Sequence, residues 1–340
     1  MEHTSTTRRA PTPQPPSASP GSRTPPAAGP LPRDRTEPPH WHTCHPALRP
    51  GAARTAERLL RTTTAAPATY PLLLHAARVL LHHGAPHRTA TWCAKLHPQA
   101  RTPSWAAAFR TLRSEALLQL GDLAAAGHEA AAAQDATTTR PTPLNLWPTA
   151  VHAEILITQG RYEEAATQLD RPPPPAHTWS ALPWLRAHGR LHLATHRHRQ
   201  ALRTFTTTAR LARRHSTGRL PHLPWRTDIA ETLLHYGHTH QARTLLTQEL
   251  GTSTAGPRHR ATALHLLATT HAPHQRLHTL TQALNETRRC HDHVELARIM
   301  TTYAHTLHTT NDPTATAFHQ RATHLATHCG LPIPTPTLSP

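Results

Sequence analysis

Residues 182–250 read LPWLRAHGRLHLATHRHRQALRTFTTTARLARRHSTGRLPHLPWRTDIAETLLHYGHTHQARTLLTQEL, and this stretch decides the fold. Apolar residues recur in it three and four positions apart, in four successive segments. The spacing predicts that each segment is a helix with one apolar stripe and one polar face. Because no such helix can bury its stripe alone, we expect the helices to pair and the pairs to stack.

A repeated step joins the predicted helices. A glycine ends one helix, and five residues later an alanine opens the buried face of the next. Glycine adopts a positive φ at little cost, and a small alanine lets two backbones approach closely. The step occurs at Gly121–Ala126, Gly160–Ala165, His196–Ala201, where histidine replaces glycine, Gly237–Ala242 and, more weakly, Thr310–Ala315. It resembles the tetratricopeptide helix-pair repeat, whose period is about 34 residues.

The same periodicity continues on both sides and predicts about seven helix pairs in one repeat domain, residues 52–330. The predicted helical segments are 52–65, 70–83, 88–96, 104–120, 123–134, 147–159, 162–169, 182–215 (a pair), 224–250 (a pair), 257–271, 275–288, 294–308 and 313–329. No alternating strand pattern longer than a few residues interrupts them. We therefore expect an all-α fold, a curved, right-handed, tetratricopeptide-like α-solenoid.

Two proline-rich tails flank the predicted domain, at residues 1–51 and 331–340. Such segments bury too little apolar surface to offset the entropy that is lost on ordering, so we expect both tails to be disordered. Inside the domain, Pro172–Pro175 cannot be helical, because proline lacks the amide donor. We interpret these prolines as a rigid connector between two pairs.

The chain of 340 residues carries a formal charge of +17, and arginine supplies nearly all of it because Lys95 is the only lysine. A strongly basic balance is typical of proteins with nucleic-acid or acidic-protein partners. A codon bias towards Arg, His, Thr, Ala and Pro is the other explanation. We favour codon bias, because the arginines scatter over the exteriors of the predicted helices and form no compact run.

Cysteine usage and hydropathy indicate the compartment. Cys44, Cys93, Cys290 and Cys329 form no CxxC pair, which fits a reducing environment. The N-terminus lacks the apolar core of a signal peptide, and no apolar run approaches the roughly 18 residues of a membrane span. We therefore expect a soluble cytoplasmic protein that does not contact a membrane.

Residues 182–330 carry a more specific resemblance. The segments RLHLATHRHRQALRTF, LPWRTDIAETLLHYGHTHQARTLLTQEL and VELARIMTTYAHTLHTTND resemble the C-terminal helical arm of the large ATP-dependent regulators of the LuxR family. The most specific features are Pro224–Arg226, the Gly237–Ala242 step and Cys329–Gly330. The resemblance, which extends more loosely back to residue 70, implies a role near transcriptional regulation. In that family the arm is taken to sense an inducer or a partner protein.

The chain departs from these regulators at both ends of the arm. It contains no GxxxxGK[ST] motif, and Lys95 lies in no glycine-rich context, so the family's nucleotide site has no counterpart. The family's DNA-reading helix-turn-helix would begin shortly after Gly330, and the sequence ends ten residues later. We therefore expect neither ATP hydrolysis nor direct DNA binding through such a module.

The 33 histidines raise the question of a metal site. His188, His192 and His196 lie four residues apart on one helix face, and His198 would complete a ligand set. Similar groupings occur at residues 40–45, 235–240 and 290–293. Because histidine is so frequent, chance explains these groupings, and we expect no metal and no cofactor. Dispersed acidic residues and the lack of a nucleophile–base motif predict that the chain is not an enzyme.

The tryptophans have one position in common, near the start of the first helix of a pair. They are Trp105, Trp147, Trp184 and Trp225. We interpret them as core anchors between stacked repeats. Ligand contacts on the concave wall are the alternative.

These patterns predict a non-enzymatic sensor or interaction domain that binds a protein partner or a small inducer in a concave groove. The first helices of successive pairs line the groove of a helical solenoid. Counting back from the repeated steps places six residues on that wall: Glu115, Glu154, Arg186, Arg190, Glu231 and His235. Two alternatives stay open, a basic solenoid that binds nucleic acid and a truncated remnant of a regulator.

Overall fold

The computed structural model describes residues 51–137, 146–170, 181–215, 223–252 and 255–332. Across these ranges the chain forms α-helices and no strand, which confirms the all-α prediction. The helices are α1 (Ala52–Thr62), α2 (Tyr70–His82), α3 (Pro86–Leu96), α4 (Pro103–Gln119), α5 (Leu123–Asp135), α6 (Leu146–Thr158), α7 (Tyr162–Leu169), α8 (Ala181–Ala194), α9 (His198–His215), α10 (Trp225–His235), α11 (Thr239–Leu250), α12 (Pro257–Thr269), α13 (Pro273–Cys290), α14 (His293–Thr309) and α15 (Ala315–His328).

Helices α2 to α15 form seven consecutive pairs, from α2 with α3 to α14 with α15, and α1 packs on α2. Each later first helix contacts its own second helix and both helices of the preceding pair. This arrangement confirms the predicted tetratricopeptide-like solenoid of about seven pairs. Of the predicted tails, residues 1–50 and 333–340 lie outside the described residues, as do Pro172–Pro175, and the domain limits 52 and 330 stay a prediction. Leu331, which the prediction assigns to the C-terminal tail, is described and packs against the core.

Several predicted helix ends are wrong by two or three residues. The helix predicted at residues 88–96 begins two residues earlier than expected, because α3 begins at Pro86. Proline fits a first helical turn, because its missing amide hydrogen has no partner there in any helix. Helix α1 ends at Thr62 rather than at residue 65, because Thr63 adopts an extended backbone.

Residues with left-handed backbone end most of the first helices. Gly84, Gly121, Gly160 and Gly237 have φ of 81°, 80°, 77° and 75°. After each of them the next amide donates to a carbonyl five residues back, as in the 3.1 Å bond from Asp122 N to Leu117 O. This hydrogen bond closes the helix C-terminus.

The alanines of the repeated step lie where they were predicted. Ala126, Ala165, Ala201 and Ala242 are fully buried. His196 takes the place of glycine with φ 57°. In the weaker fifth step the left-handed residue is Asn311, one position after Thr310. The step is therefore a helix end that allows close approach of the next helix.

The predicted tryptophan anchors are confirmed. Their exposed fractions are 2%, 4%, 5% and 9% for Trp105, Trp147, Trp184 and Trp225. Around them the core consists mainly of alanine and leucine. Among the described helices, none is both long and apolar enough to cross a membrane.

The last pairs of the array contact its first pairs. Helix α14 packs on α4, and the rings of His82 and His259 lie 5.8 Å apart between α2 and α12. A Cβ on Gly121 would lie 2.4 Å from Cys329 Sγ, so the end of α15 closes tightly over the end of α4. Charged side chains on the first helices are consequently enclosed between non-neighbouring repeats.

Candidate functional site

A series of ion pairs connects the first helices of successive repeats. Its centre is Arg186 on α8, which donates from Nε and Nη2 to the two carboxylate oxygens of Asp228 at 2.8 and 3.1 Å. The same guanidinium donates from Nη1 to Glu154 of α6. Arg190, one turn later, pairs with Glu231 and lies 3.8 Å from Asp228. Two arginines of α8 thus join α6 to α10.

The series continues towards the N-terminus. Arg78 Nη2 of α2 donates to Glu115 Oε2 of α4 at 3.4 Å, and Trp147 Nε1 of α6 donates to Glu115 Oε1 at 2.7 Å. The guanidinium of Arg78 also lies over the Trp147 ring, 4.9 Å from its centroid. We name the whole set the inner-wall network: Arg78, Glu115, Glu154, Arg186, Arg190, Asp228 and Glu231.

A second group of charges extends the pattern to α12 and α14. His265 Nδ1 lies 2.9 Å from Glu295 Oε1, and Arg258 Nε lies 2.8 Å from Asp292 Oδ2. Burial would raise the pKa of Glu295, but the hydrogen bond to His265 and nearby charges lower it to about 2. Asp292 also begins α14, because its Oδ1 accepts from the Glu295 amide at 2.9 Å.

These charges face a shared interior. Glu231 on α10 interacts electrostatically with Arg298 on α14, and His259 on α12 interacts with Arg186 on α8. Neither pair of helices is consecutive in the array. The first helices therefore turn their charged faces towards one another, which is the geometry expected for the lining of a solenoid.

Burial and ion pairing oppose each other in the network. Burial would lower the pKa of Arg186, but Asp228 and Glu154 raise it above its ordinary value. Burial would raise the pKa of Glu231, and Arg190 lowers it below its ordinary value. At Asp228 burial prevails, so its pKa is raised despite the two arginines. Asp228 is the most enclosed carboxylate of the network, and its charge depends on these neighbours.

Most side chains of the network are partly exposed to solvent. The side chains of Glu154 and Glu231 are 26% and 25% exposed, and those of Arg186 and Arg190 are 20% and 21% exposed. The Asp228 side chain is only 3% exposed. The network thus has one closed member, Asp228, and several charges that a ligand could contact, including Glu115, whose side chain is also 25% exposed.

The structure brings five of the six predicted wall residues into this network. His235 is placed differently: it lies exposed at the end of α10 and stacks on His198 of α9, with ring centroids 4.7 Å apart. Counting from the repeated steps missed Arg78 and Asp228. A signal for both exists in the sequence, because paired charges lie about one repeat apart: 37 residues for Arg78–Glu115 and 42 for Arg186–Asp228.

The histidine groupings serve packing where they are described. The His188 ring packs on the Trp184 ring at a tilt of 51°, with centroids 3.9 Å apart, and its Nε2 lies 3.1 Å from the Leu169 carbonyl. His196 is the left-handed residue that ends α8. Within the described ranges no three His, Cys, Asp or Glu side chains are grouped to hold a metal ion. The grouping at residues 40–45 lies outside those ranges.

Solved structures share this fold. A Rap protein complexed with Competence and Sporulation Factor aligns with a TM-score of 0.61 and 12% identity, over 82% of this chain and 80% of that one. The Rap conjugation gene regulator of plasmid pLS20, in complex with the Phr peptide, gives 0.60 and 12%, over 82% and 83%. The Cut9–Hcn1 hetero-tetramer of APC/C gives 0.57 and 13%, over 81% of this chain and 50% of that one.

Identities this low show the fold alone, which is that of tetratricopeptide-like helical-repeat proteins. No protein-family model matches the chain. No curated protein matches its sequence either. These comparisons show no relation to LuxR-family regulators.

Proposed function

We propose that the inner-wall network binds an extended segment of a protein or peptide partner, and that the domain is a non-enzymatic interaction module. The observation that carries this proposal is the charge of the wall. The chain as a whole is at +17, yet the network contains three arginines and four carboxylates. A wall without excess positive charge has no general attraction for nucleic acid, whereas a peptide needs both donors and acceptors.

Unused hydrogen-bonding capacity supports the same ligand class. Glu154 accepts from Arg186 through Oε1, and Glu231 accepts from Arg190 through Oε2. Among the described residues, no donor bonds to the second carboxylate oxygen of either side chain. A carboxylate oxygen can accept from a backbone amide, and an extended peptide offers such amides at regular intervals. The two carboxylates lie on either side of α8, so a segment that crosses this helix can reach both.

The fold neighbours add support of a weaker kind. All three are complexes, one with Competence and Sporulation Factor, one with the Phr peptide and one of Cut9 with Hcn1. A solenoid of stacked pairs offers its inner face to a chain-like ligand, and this property belongs to the architecture rather than to sequence identity.

A displayed library of random twelve-residue peptides provides the test. We expect enrichment on the wild-type chain, and at least tenfold weaker binding of the enriched peptides to the Glu154→Gln, Glu231→Gln variant, about 1.4 kcal/mol. The matched control is Glu163→Gln, Glu164→Gln, which changes the charge equally on the exposed face of α7. Equal losses in both variants, or no enrichment above an unrelated helical protein, would refute the proposal.

We propose further that the module serves gene regulation, as the arm of LuxR-family regulators does. The support is the resemblance of residues 182–330 to that arm. Deletion of the gene, with transcripts sequenced, should change a defined set of messages, and re-expression of the wild-type chain should restore them. A variant that has lost peptide binding should fail to restore them. Restoration by that variant would separate the regulatory role from the inner wall.

A further inference from the structure

Helix α9 presents a row of exposed arginines on the side opposite its buried face. At about 100° per residue, four of them fall within about 60° of one another around the helix axis. We name them the arginine stripe: Arg199, Arg203, Arg210 and Arg214, all exposed. The opposite side holds Ala201, Phe205 and Ala212, which are buried. The linear sequence hides the stripe, because the four residues are spread over sixteen positions.

The stripe is not neutralised. The described residues form no ion pair with any of its four guanidinium groups, unlike Arg186 and Arg190 on the preceding helix. The sequence contains no acidic residue between Asp170 and Asp228, so neither α8 nor α9 can supply a carboxylate. Like charges four residues apart on a helix destabilise it by a few tenths of a kcal/mol. Two such pairs occur here, 199 with 203 and 210 with 214.

We propose that the arginine stripe binds the phosphate backbone of a nucleic-acid duplex without reading its base sequence. At 1.5 Å per residue, each pair of arginines spans about 6 Å, and about 10 Å separates the two pairs. The major groove of a DNA duplex is about 12 Å wide, so each pair can contact the phosphates on one edge of the groove. Arginine suits this contact, because its planar guanidinium binds phosphate oxygens in a bidentate manner.

The composition of this face favours duplex over the other polyanions. Single-stranded nucleic acid is usually held by stacking of bases on aromatic rings, and Phe205 of α9 is fully buried. A protein interface needs an apolar centre, whereas the positions that flank the stripe are polar, Gln200 and Thr207 on one side and Thr206 on the other. Polar side chains of this kind donate to phosphate oxygens.

This surface is independent of the function proposed above. The arginine stripe lies on a second helix, while the inner-wall network lies on the first helices. It also needs no helix-turn-helix module, so it differs from the DNA binding of LuxR-family regulators. The codon-bias explanation of the basic charge accounts for the number of arginines but not for their alignment on one acid-free helix face.

The test is a salt titration of the full chain with a fluorescent 30-base-pair duplex of random sequence. Four phosphate contacts predict a slope of about −3.6 in log K against log salt, or about a 150-fold loss of affinity between 50 and 200 mM NaCl. The stripe variant replaces all four arginines by glutamine. We expect at least a tenfold loss at 50 mM NaCl and a slope smaller in magnitude by about 3.6.

The control variant removes the same charge elsewhere. It replaces four exposed arginines on separate elements by glutamine: Arg88, Arg101, Arg288 and Arg321. We expect its duplex affinity to stay within threefold of wild type, and two duplexes of different sequence to bind within twofold of each other.

Three results would overturn the inference. The first is equal loss in the stripe and control variants, because overall charge would then be sufficient. The second is no duplex binding at 50 mM NaCl. The third is displacement of the duplex by poly-glutamate or by single-stranded DNA more efficiently than by unlabelled duplex, since the surface would then serve an acidic protein or a single strand.

Discussion

Two helical glycines should respond in opposite directions to the same substitution. Gly189 lies in α8 against Phe205 of α9, and a Cβ built on it would lie 2.4 Å from Phe205 Cε1 and 2.7 Å from Cδ1. Gly127 lies in α5, where the nearest atom to such a Cβ is Ile155 Cγ2 at 4.0 Å. The first position has no space for a methyl group, while the second offers ordinary van der Waals contact.

The magnitudes follow from two competing effects. Replacing glycine by alanine inside a helix gains about 1 kcal/mol in helix propensity. Overpacking a core costs about 1–3 kcal/mol, and the upper part of this range applies at Gly189 because the whole Phe205 ring has to move. Phe205 is fully buried, so the ring has no solvent-filled space to enter. We expect Gly189→Ala to lose about 1–2 kcal/mol and Gly127→Ala to gain up to about 1 kcal/mol.

Urea denaturation followed by circular dichroism measures both changes as shifts of the transition midpoint. We expect the midpoint to fall for Gly189→Ala and to rise for Gly127→Ala. Adding Phe205→Leu to Gly189→Ala should restore part of the loss, with a coupling energy above about 0.5 kcal/mol because the two side chains would be in contact. Midpoints that shift in the same direction, or a double variant with purely additive losses, would refute the packing argument.

Three further predictions concern other features of the chain. His196→Gly should raise the free energy of unfolding by about 0.5–1 kcal/mol, because a non-glycine residue is strained at φ 57°, and a lower urea midpoint would contradict this. Asp228→Ala should cost about 3 kcal/mol in the same assay, because it removes the carboxylate that Arg186 and Arg190 share and leaves each arginine with one partner, Glu154 or Glu231. Glu164→Gln, in an exposed pair with Arg161, should shift the midpoint far less. Burial beside His82 lowers the pKa of His259, so the unfolded chain takes up a proton at a higher pH than the folded chain does. The melting temperature should therefore decrease as the pH is lowered below about 6.5. His259→Gln should make this decrease less steep, and an unchanged pH slope would count against the explanation.

Most helix ends could be predicted from the type of a single residue. Gly237 and Ala242 defined a step that the structure reproduces, because a left-handed C-terminus and a close helix contact each need a particular residue type. The predicted helix at residues 88–96 leaves Pro86 outside, because proline stops a helix in its interior but can also begin one in its first turn. The sequence shows a proline in both cases, and only the position of the neighbouring helix shows whether that proline ends a helix or begins one.

The inner wall was partly predictable for a different reason. Counting from the repeated steps finds one position per helix turn, so it reached Glu231 but not Asp228 three residues earlier. The missing information is long-range: Asp228 matters because Arg186 lies 42 residues before it and one repeat away in space. A search for opposite charges at about the repeat period would have found the pair, since the architecture converts that period into contact.

Charge segregation is the property that links the two proposed surfaces. Arg186 and Arg199 lie thirteen residues apart in one acid-free stretch of sequence, yet only the first meets carboxylates. The first helix turns towards the carboxylates of neighbouring repeats, and the second helix turns towards solvent. Because the enclosed acidic side chains pair with the enclosed arginines, the remaining arginines lie on the exterior. A total charge of +17 therefore describes neither surface, and the two functions can be removed separately: the peptide by neutralising Glu154 and Glu231, the duplex by neutralising the arginine stripe.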